Sequence, residues 1–315
     1  MTSKPARALI ALTTKDNDYQ RAHAASAEAV AHRLGVGLEI IYAGNDAVNQ
    51  VQQILSAIQR SNHGFDVIIT EPVGTGMASV AETAAKMGLG WCVMNCEADY
   101  ISRLRAQYNV PVFEASVDQV EVGRIQAQQL ATLLPDGGTV LYITGPVSGT
   151  AAARRTEGMM SRKPANIQFK TLTGNWTEDG GHRVVGSWLK LSTSQSNPFV
   201  AVVSQNDAMA IGARRAFSEL GNGNERSNWL KLPFFGVDGL PDTGQQFVQR
   251  KQLAATVIMP AVAGIALEVY MRSHLEGKPL PERHLVHPQS FPAVEQLRPQ
   301  PAKAMAAAIP IPEKH

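Results

Sequence analysis

Apolar strand-like runs alternate with amphipathic helical stretches along nearly the whole chain, and that alternation limits the fold more than any other feature. ARALIALTT leads into a helical pattern from Tyr19 to Leu34, GLEIIYA into Ala47 to Gln59, and FDVIIT into Met77 to Met87. GWCVMN and VPVFEAS then read as further strands. Parallel strands need long crossovers, usually helical, and strands covered on both faces read as continuous apolar runs. The order therefore predicts an α/β fold with doubly wound, Rossmann-like parallel sheets.

The pattern restarts with a helix from Gln119 to Leu134 and the strand TVLYITG. A helix near Ala151 to Met160, IQFKTLT, a helix from Asp179 to Leu191, FVAVVS, a helix from Ala208 to Leu220 and FFGVD follow. LAATVIMP adds a strand and Ala261 to Leu275 a helix. Two sheets in tandem explain this order, and 315 residues suit two cores better than one. The Pro- and Ala-rich end, residues 298–315, is expected to be a loosely packed tail.

A balance of 29 Lys and Arg against 27 Asp and Glu gives no strong field for nucleic acid or an anionic membrane. No apolar run approaches the roughly 20 residues that span a bilayer, so a soluble chain is expected. Cys92 and Cys96 fall in WCVMNC, read as one buried strand. Four residues of strand cover about 13 Å, beyond disulfide reach, so both are expected as free thiols. The first residues, MTSKPARALIALTTKDND, lack a signal-peptide h-region and cleavage site. The compartment is accordingly periplasmic if a leader has been removed, and cytoplasmic otherwise.

Catalytic signatures are missing: there is no GxxxxGK[ST], HExxH or GxSxG, and the eight histidines lack metal spacing. No enzyme, cofactor or metal site is expected, and His284 and His287 read as surface or hinge residues. The one rival of another class is a nucleotide enzyme. In FDVIITEPVGTGMAS, Gly74 and Gly76 lie between a strand and a helix, with Glu97 about twenty residues on. Ser79 stands where the third glycine would, Pro72 interrupts the turn, and the motif belongs to the third strand–helix unit.

Two strands end in polar residues, Asn206 after AVVSQ and Asp238 in FFGVDG. Ligands of open parallel sheets sit beyond the carboxyl ends of the strands, which makes a small polar ligand the first expectation. SQNDAMAIGARRAF, FFGVDG and QLAATVIMP, in that order and spacing, resemble the type I periplasmic binding protein superfamily, most closely its ribose-binding-like sugar receptors. The resemblance covers roughly residues 7 to 290.

That resemblance implies two α/β lobes joined by three hinge crossings near Asp118, Met259 and His287, with ligand held between them. The expected lobes are 1–117 plus 260–288, and 118–259 plus 289–297. It also implies a ligand set, residue by residue. Asn17 and Tyr19 occupy the first loop, where Asp18 replaces the usual proline and Gln20 the second aromatic. Glu71 precedes Pro72, and Asn95 ends the fourth strand, where a carboxylate is common. Arg155, three before Gly158, matches the family's arginine, with Arg154 as its neighbour. Trp176 matches a stacking aromatic, Asn206 and Asp238 the polar anchors, and Met259 stands in place of a glutamine.

A sugar presents hydroxyls that both donate and accept, and two weakly apolar C–H faces. Carboxylates and amides suit the hydroxyls, Arg155 offers a planar fork, and Trp176 and Tyr19 offer rings. A polyol or purine nucleoside would fit the same set. Plainer roles stand beside these: Trp176 in a core, Asp238 in a turn, Arg155 paired with Glu157, and Asn206 as a helix cap, although Asp207 is the expected cap by position. The expected function is a monomeric, non-catalytic receptor that delivers its solute to an ABC permease. A ligand sensor of the same fold is the alternative. A repressor is not expected, because the first strand begins near residue 7 and a DNA-binding head would precede it.

Overall fold

The computed structural model describes residues 5–60, 64–147, 149–191 and 198–299. In chain order the first elements are β1 (Arg7–Leu12), α1 (Asp18–Leu34), β2 (Gly37–Tyr42), α2 (Ala47–Arg60), β3 (Val67–Thr70), α3 (Met77–Lys86), β4 (Gly90–Met94), α4 (Ile101–Gln107) and β5 (Val112–Val117). Then come α5 (Gln119–Leu133), β6 (Gly138–Thr144), α6 (Thr150–Arg162), β7 (Ile167–Thr173), α7 (Glu178–Leu189), β8 (Phe199–Ser204), α8 (Asp207–Ser218), α9 (Gly223–Lys231) and β9 (Phe234–Phe235). The chain closes with α10 (Gly244–Gln249), β10 (Thr256–Ile258), α11 (Val262–Glu276), β11 (Arg283–Val286) and β12 (Gln289–Phe291). Except for its first two residues, the tail expected at 298–315 lies outside the described residues.

The chain divides into two compact units, one of Met1–Asp118, Ser148–Thr150 and Pro260–His287, the other of Gln119–Val147, Ala151–Met259 and Pro288–His315. In the first, six parallel strands run in the order β11-β5-β4-β3-β1-β2. Ala8 to Leu12 are wholly buried, because β1 has a strand on each side and helices against its faces. Leu9, Ile54, Ile68, Trp91 and Leu104 belong to its core.

The second unit has a parallel sheet in the order β7-β6-β8-β9, and β10 pairs antiparallel with β12. One core gathers Trp188, Phe217 and Trp229, and another Leu130, Tyr142 and Phe235. Both sheets place their first strand between the second and third, the reversal of direction that leaves a crevice at the carboxyl ends of strands. The α/β, doubly wound class read from the alternation holds in each.

Two glycines set the approach of α5 to α6. A Cβ at Gly158 would lie 1.9 Å from the Val120 carbonyl oxygen, and one at Gly123 2.0 Å from that of Arg155. Backbone cannot yield as a flexible side chain does, so Gly158→Val should cost about 2 kcal/mol or more in a urea unfolding titration. An unchanged midpoint would show that the helices can separate freely.

Several local expectations need correction. GWCVMN does not carry both cysteines on one strand: β4 ends at Met94, leaving buried Cys92 within it and Cys96 beyond. Both are free thiols. FFGVD keeps only Phe234–Phe235 as strand; beyond it the chain runs beside residues 255–259 through isolated bridges, Phe235 to Ala255 and Asp238 to Ile258, and Asp238 takes φ +105°. Three helices, α4, α9 and α10, went unread; they are short, and α9 (GNERSNWLK) buries only Trp229.

Candidate functional site

Most of the candidate side chains sit where a strand gives way to its crossover. In the second unit, Trp176 follows β7, Asn206 follows β8, Asp238 follows β9 and Met259 follows β10, while Arg155 lies in the second turn of α6. Arg155 is buried with its guanidinium fully directed: Nε donates to Gln119 Oε1 at 2.8 Å, Nη1 to the Gln205 carbonyl, and Nη2 to Met259 Sδ at 3.1 Å. Its charge lies 5.2 Å from the Trp176 ring centroid, within cation–π range. Arg154, by contrast, pairs with Glu157 at 2.7 Å on the surface, the pairing weighed for Arg155.

Gln205 holds this arginine in place. Its amide donates to Tyr142 Oη at 2.8 Å, Thr156 Oγ1 at 2.9 Å and the Ala152 carbonyl at 3.0 Å, and its Oε1 accepts from Gly145 N at 2.8 Å. Gly145 in turn makes room for Trp176, since a Cβ there would come within 2.0 Å of the indole ring. Sequence reading passed over Gln205, although it directly precedes the Asn206 singled out as polar at a strand end.

The cap of α8 falls one residue earlier than expected. Asn206, at φ −152° and ψ 165°, is the N-cap and accepts from Met209 N at 2.9 Å, while its Nδ2 donates to the Trp176 carbonyl at 2.8 Å. Asp207, expected as the cap, instead accepts from Gly239 N at 2.8 Å and Thr256 Oγ1 at 2.7 Å. The extended backbone of Asn206 decides it: the last non-helical residue caps, and the carboxylate one step on reaches across to the loop after β9. Asn206 thereby fastens Trp176 at φ +70°, and Asp207 fastens the loop that holds buried Asp238 at φ +105°. Positive φ on non-glycine residues stores strain of order 1–3 kcal/mol and concentrates at ligand clamps.

In the first unit, Asn17, Tyr19, Glu71 and Asn95 lie at the carboxyl ends of β1, β3 and β4. Asn17 is the N-cap of α1, accepting from Tyr19 N at 2.8 Å and Gln20 N at 3.2 Å. Gln20, which replaces the second aromatic, is buried and accepts from Thr13 N at 3.1 Å, so it braces the first loop. Tyr19 is buried, with its hydroxyl donating to the Pro260 carbonyl at 2.9 Å and its ring edge-on to His23 at 4.5 Å.

The structure adds His23 to this group. Its Nδ1 accepts from Ala263 N at 3.1 Å, so the proton of the neutral ring sits on Nε2, 3.5 Å from Glu71 Oε2. Burial alone pushes its pKa down to about 3, which keeps it neutral. Asn95, at φ +49°, joins these groups: Nδ2 lies 3.4 Å from Glu71 Oε2 and 3.5 Å from Tyr19 Oη, and Oδ1 accepts from Val117 N at 3.3 Å. Tyr19, His23, Ala27 and Ala31 recur every four residues on the buried side of α1, a stripe that could have revealed the histidine. Glu71, half-buried, completes the cluster as its carboxylate.

Three further readings concern regions outside these clusters. Gly76 has φ −77° and open space where a Cβ would go, so that glycine meets no close approach of the kind a dinucleotide fingerprint uses. His284 lies in β11 and His287 is exposed. Among the described residues no helix is long and apolar enough to cross a membrane.

A family model described as "Periplasmic binding protein domain" matches residues 8–279. The chain belongs to that family. Among relatives of this periplasmic binding protein, a Rhizobium meliloti protein provisionally named for rhizopine binding is 33% identical over 194 residues, 59% of each chain. The xylitol-binding protein of Mycolicibacterium smegmatis is 27% identical over 65% of this chain and 54% of its own length. The chain thus spans little more than half the length of these two relatives. The D-apiose import binding protein of Actinobacillus succinogenes is 26% identical over 86% of this chain and 84% of its own. A crystal structure of an ABC transporter periplasmic solute-binding protein from Actinobacillus succinogenes, with bound D-allose, superposes with a TM-score of 0.77. It covers 93% of this chain and 99% of that one at 21% identity, a likeness of fold.

Proposed function

We propose that this periplasmic binding protein is a non-catalytic receptor for a sugar or polyol, which it hands to an ABC permease. The observation that carries the reading is the group of Trp176, Asn206 and Asp238 beyond the carboxyl ends of parallel strands, with Arg155 of α6 over the Trp176 ring and two of the four held at positive φ. An aromatic face beside a guanidinium fork and a carboxylate matches the C–H faces and hydroxyls of a carbohydrate. Relatives named for xylitol, D-apiose and ribose binding support the ligand class, and those named as import proteins support the permease. The proposed solute contacts are Arg155, Trp176, Asn206, Asp238 and Met259 in one unit, and Asn17, Tyr19, Glu71 and Asn95 in the other. We further propose that the chain works as a monomer in the periplasm, with lobes of 1–117 plus 260–288 and 118–259 plus 289–297.

Isothermal titration against a panel of pentoses, hexoses, polyols and nucleosides tests the reading. One sugar or polyol should bind at micromolar concentration or tighter, and Arg155→Ala should weaken it by about 2 kcal/mol, roughly thirtyfold. Asp238→Asn, which tolerates positive φ, should weaken it to a similar degree without lowering the melting temperature of the unliganded protein. Preference for a nucleoside, or unchanged affinity in both variants, would refute the proposal.

A further inference from the structure

Seven buried polar side-chain atoms among the described residues have no hydrogen-bond partner: Gln53 Oε1, Trp91 Nε1, Tyr100 Oη, Gln119 Nε2, Gln126 Oε1, Gln129 Oε1 and Trp188 Nε1. Only Gln119 is also hydrogen-bonded to a proposed contact residue, Arg155. Gln126 and Gln129 turn their amide nitrogens to backbone carbonyls of β8, the loop after β9 and β10, and leave only carbonyl oxygens over. An amide N–H2 without an acceptor is the dearer loss, about 1–3 kcal/mol.

The orientation of the Gln119 amide is forced. A guanidinium has donors and no acceptor, so the oxygen of the amide must face Arg155 Nε and the N–H2 must point elsewhere. Gln119 is 7% exposed and opens α5, whose approach to α6 is fixed by Gly123 and Gly158, so neither the amide nor Arg155 can swing away cheaply. The acceptors around Arg155 are already engaged by it. Gln119 Oε1 and the Gln205 carbonyl are occupied by the guanidinium, and Met259 supplies only a thioether that also faces it.

We infer that Gln119 is a specificity-determining contact whose Nε2 donates to an oxygen of the bound solute. The oxygen it suits is one that need not donate in return: a ring oxygen, a carbonyl or a carboxylate. A hydroxyl placed there serves as an acceptor and must turn its own hydrogen elsewhere. The inference rests on the solute-binding reading and sharpens it, since it assigns the corner beside Arg155 to the acceptor side of the ligand.

Gln119→Glu separates this role from a purely structural one. The carboxylate keeps an acceptor for Arg155 Nε and removes only the Nε2 donor. Gln119→Leu removes both. With the tightest-binding member of the panel as probe, both variants should raise the dissociation constant at least tenfold, while Gln119→Glu keeps the unliganded melting temperature of the wild type or exceeds it. If Gln119 merely holds Arg155, or its amide is satisfied by water, Gln119→Leu weakens binding and Gln119→Glu does not, which overturns the inference alone. A wild-type chain that binds nothing in the panel overturns the receptor reading, and this inference with it.

Discussion

Replacing Asp207 with alanine should lower the unfolding free energy by about 4 kcal/mol, while asparagine at the same position should cost about 1 kcal/mol. The carboxylate is buried and accepts from Gly239 N and Thr256 Oγ1, which come from the loop after β9 and from β10. Alanine leaves both donors enclosed and without acceptors. Asparagine restores the order: its oxygen accepts from Gly239 N, and its amide donates to a threonine oxygen that can reverse its role. Glycines line the carboxylate closely, since a Cβ at Gly236 would lie 1.9 Å from Oδ1, so the site is shaped to this side chain. Urea midpoints of the two variants check this, and equal losses would mean that charge, and not hydrogen bonding, is what the site needs. Solute affinity should fall with stability in the alanine variant, because the same loop carries Asp238.

The second large effect is a pH dependence. His23 is wholly buried and burial lowers its pKa to about 3, whereas an unfolded histidine titrates near 6.5. Between those values the unfolded chain binds a proton that the folded chain refuses. Stability is therefore full above about pH 6.5, declines as the pH falls towards about 3, and has lost about 3 kcal/mol to this residue by pH 4. Carboxylates in general titrate in part of the same window, so the comparison must be with a variant that keeps them. His23→Asn puts an oxygen where Nδ1 accepts from Ala263 N and carries no titratable group. It should be less stable than wild type at pH 7 and should close or reverse that gap at pH 4. Parallel losses in the two proteins would show that His23 is free to protonate in the folded state.

Fold class and strand–helix order were legible because apolar runs at a helical or strand period report burial directly, and β1 through β8 fall where those runs predict. The weak points were local choices between two residues able to do the same job. Asn206 and Asp207 are both good caps, and which one serves depends on where the backbone turns helical after β8. Arg154 and Arg155 differ by a rotation of about 100° on α6, enough to send one to Glu157 at the surface and the other among Gln119, Gln205 and Met259. Tyr19 reads as an open ring in sequence, but in the fold its hydroxyl is tied to Pro260, a contact across 241 residues that no local pattern contains. His23 escaped for the opposite reason: its signal, the four-residue stripe of α1, was local, but histidine was weighed only for metal spacing.

The first unit is sewn from distant pieces of chain. Its edge strand β11 pairs with β5, and α11 lies against α1, where Ser26 meets the backbone of Ala261 and Arg33 reaches Glu268. A chain growing from its amino end therefore makes β1 to β5 early but cannot complete their sheet until roughly the last tenth of the polypeptide is emerging. Pro260 and Ala263, the partners of Tyr19 and His23, are also late, and until α11 follows them α1 lacks the helix that packs against it. The second unit has its four-stranded sheet, β6 to β9, in one continuous stretch, and only the β12 partner of β10 comes later. The amino-terminal part of the chain thus depends on later segments to finish its own sheet and to partner α1.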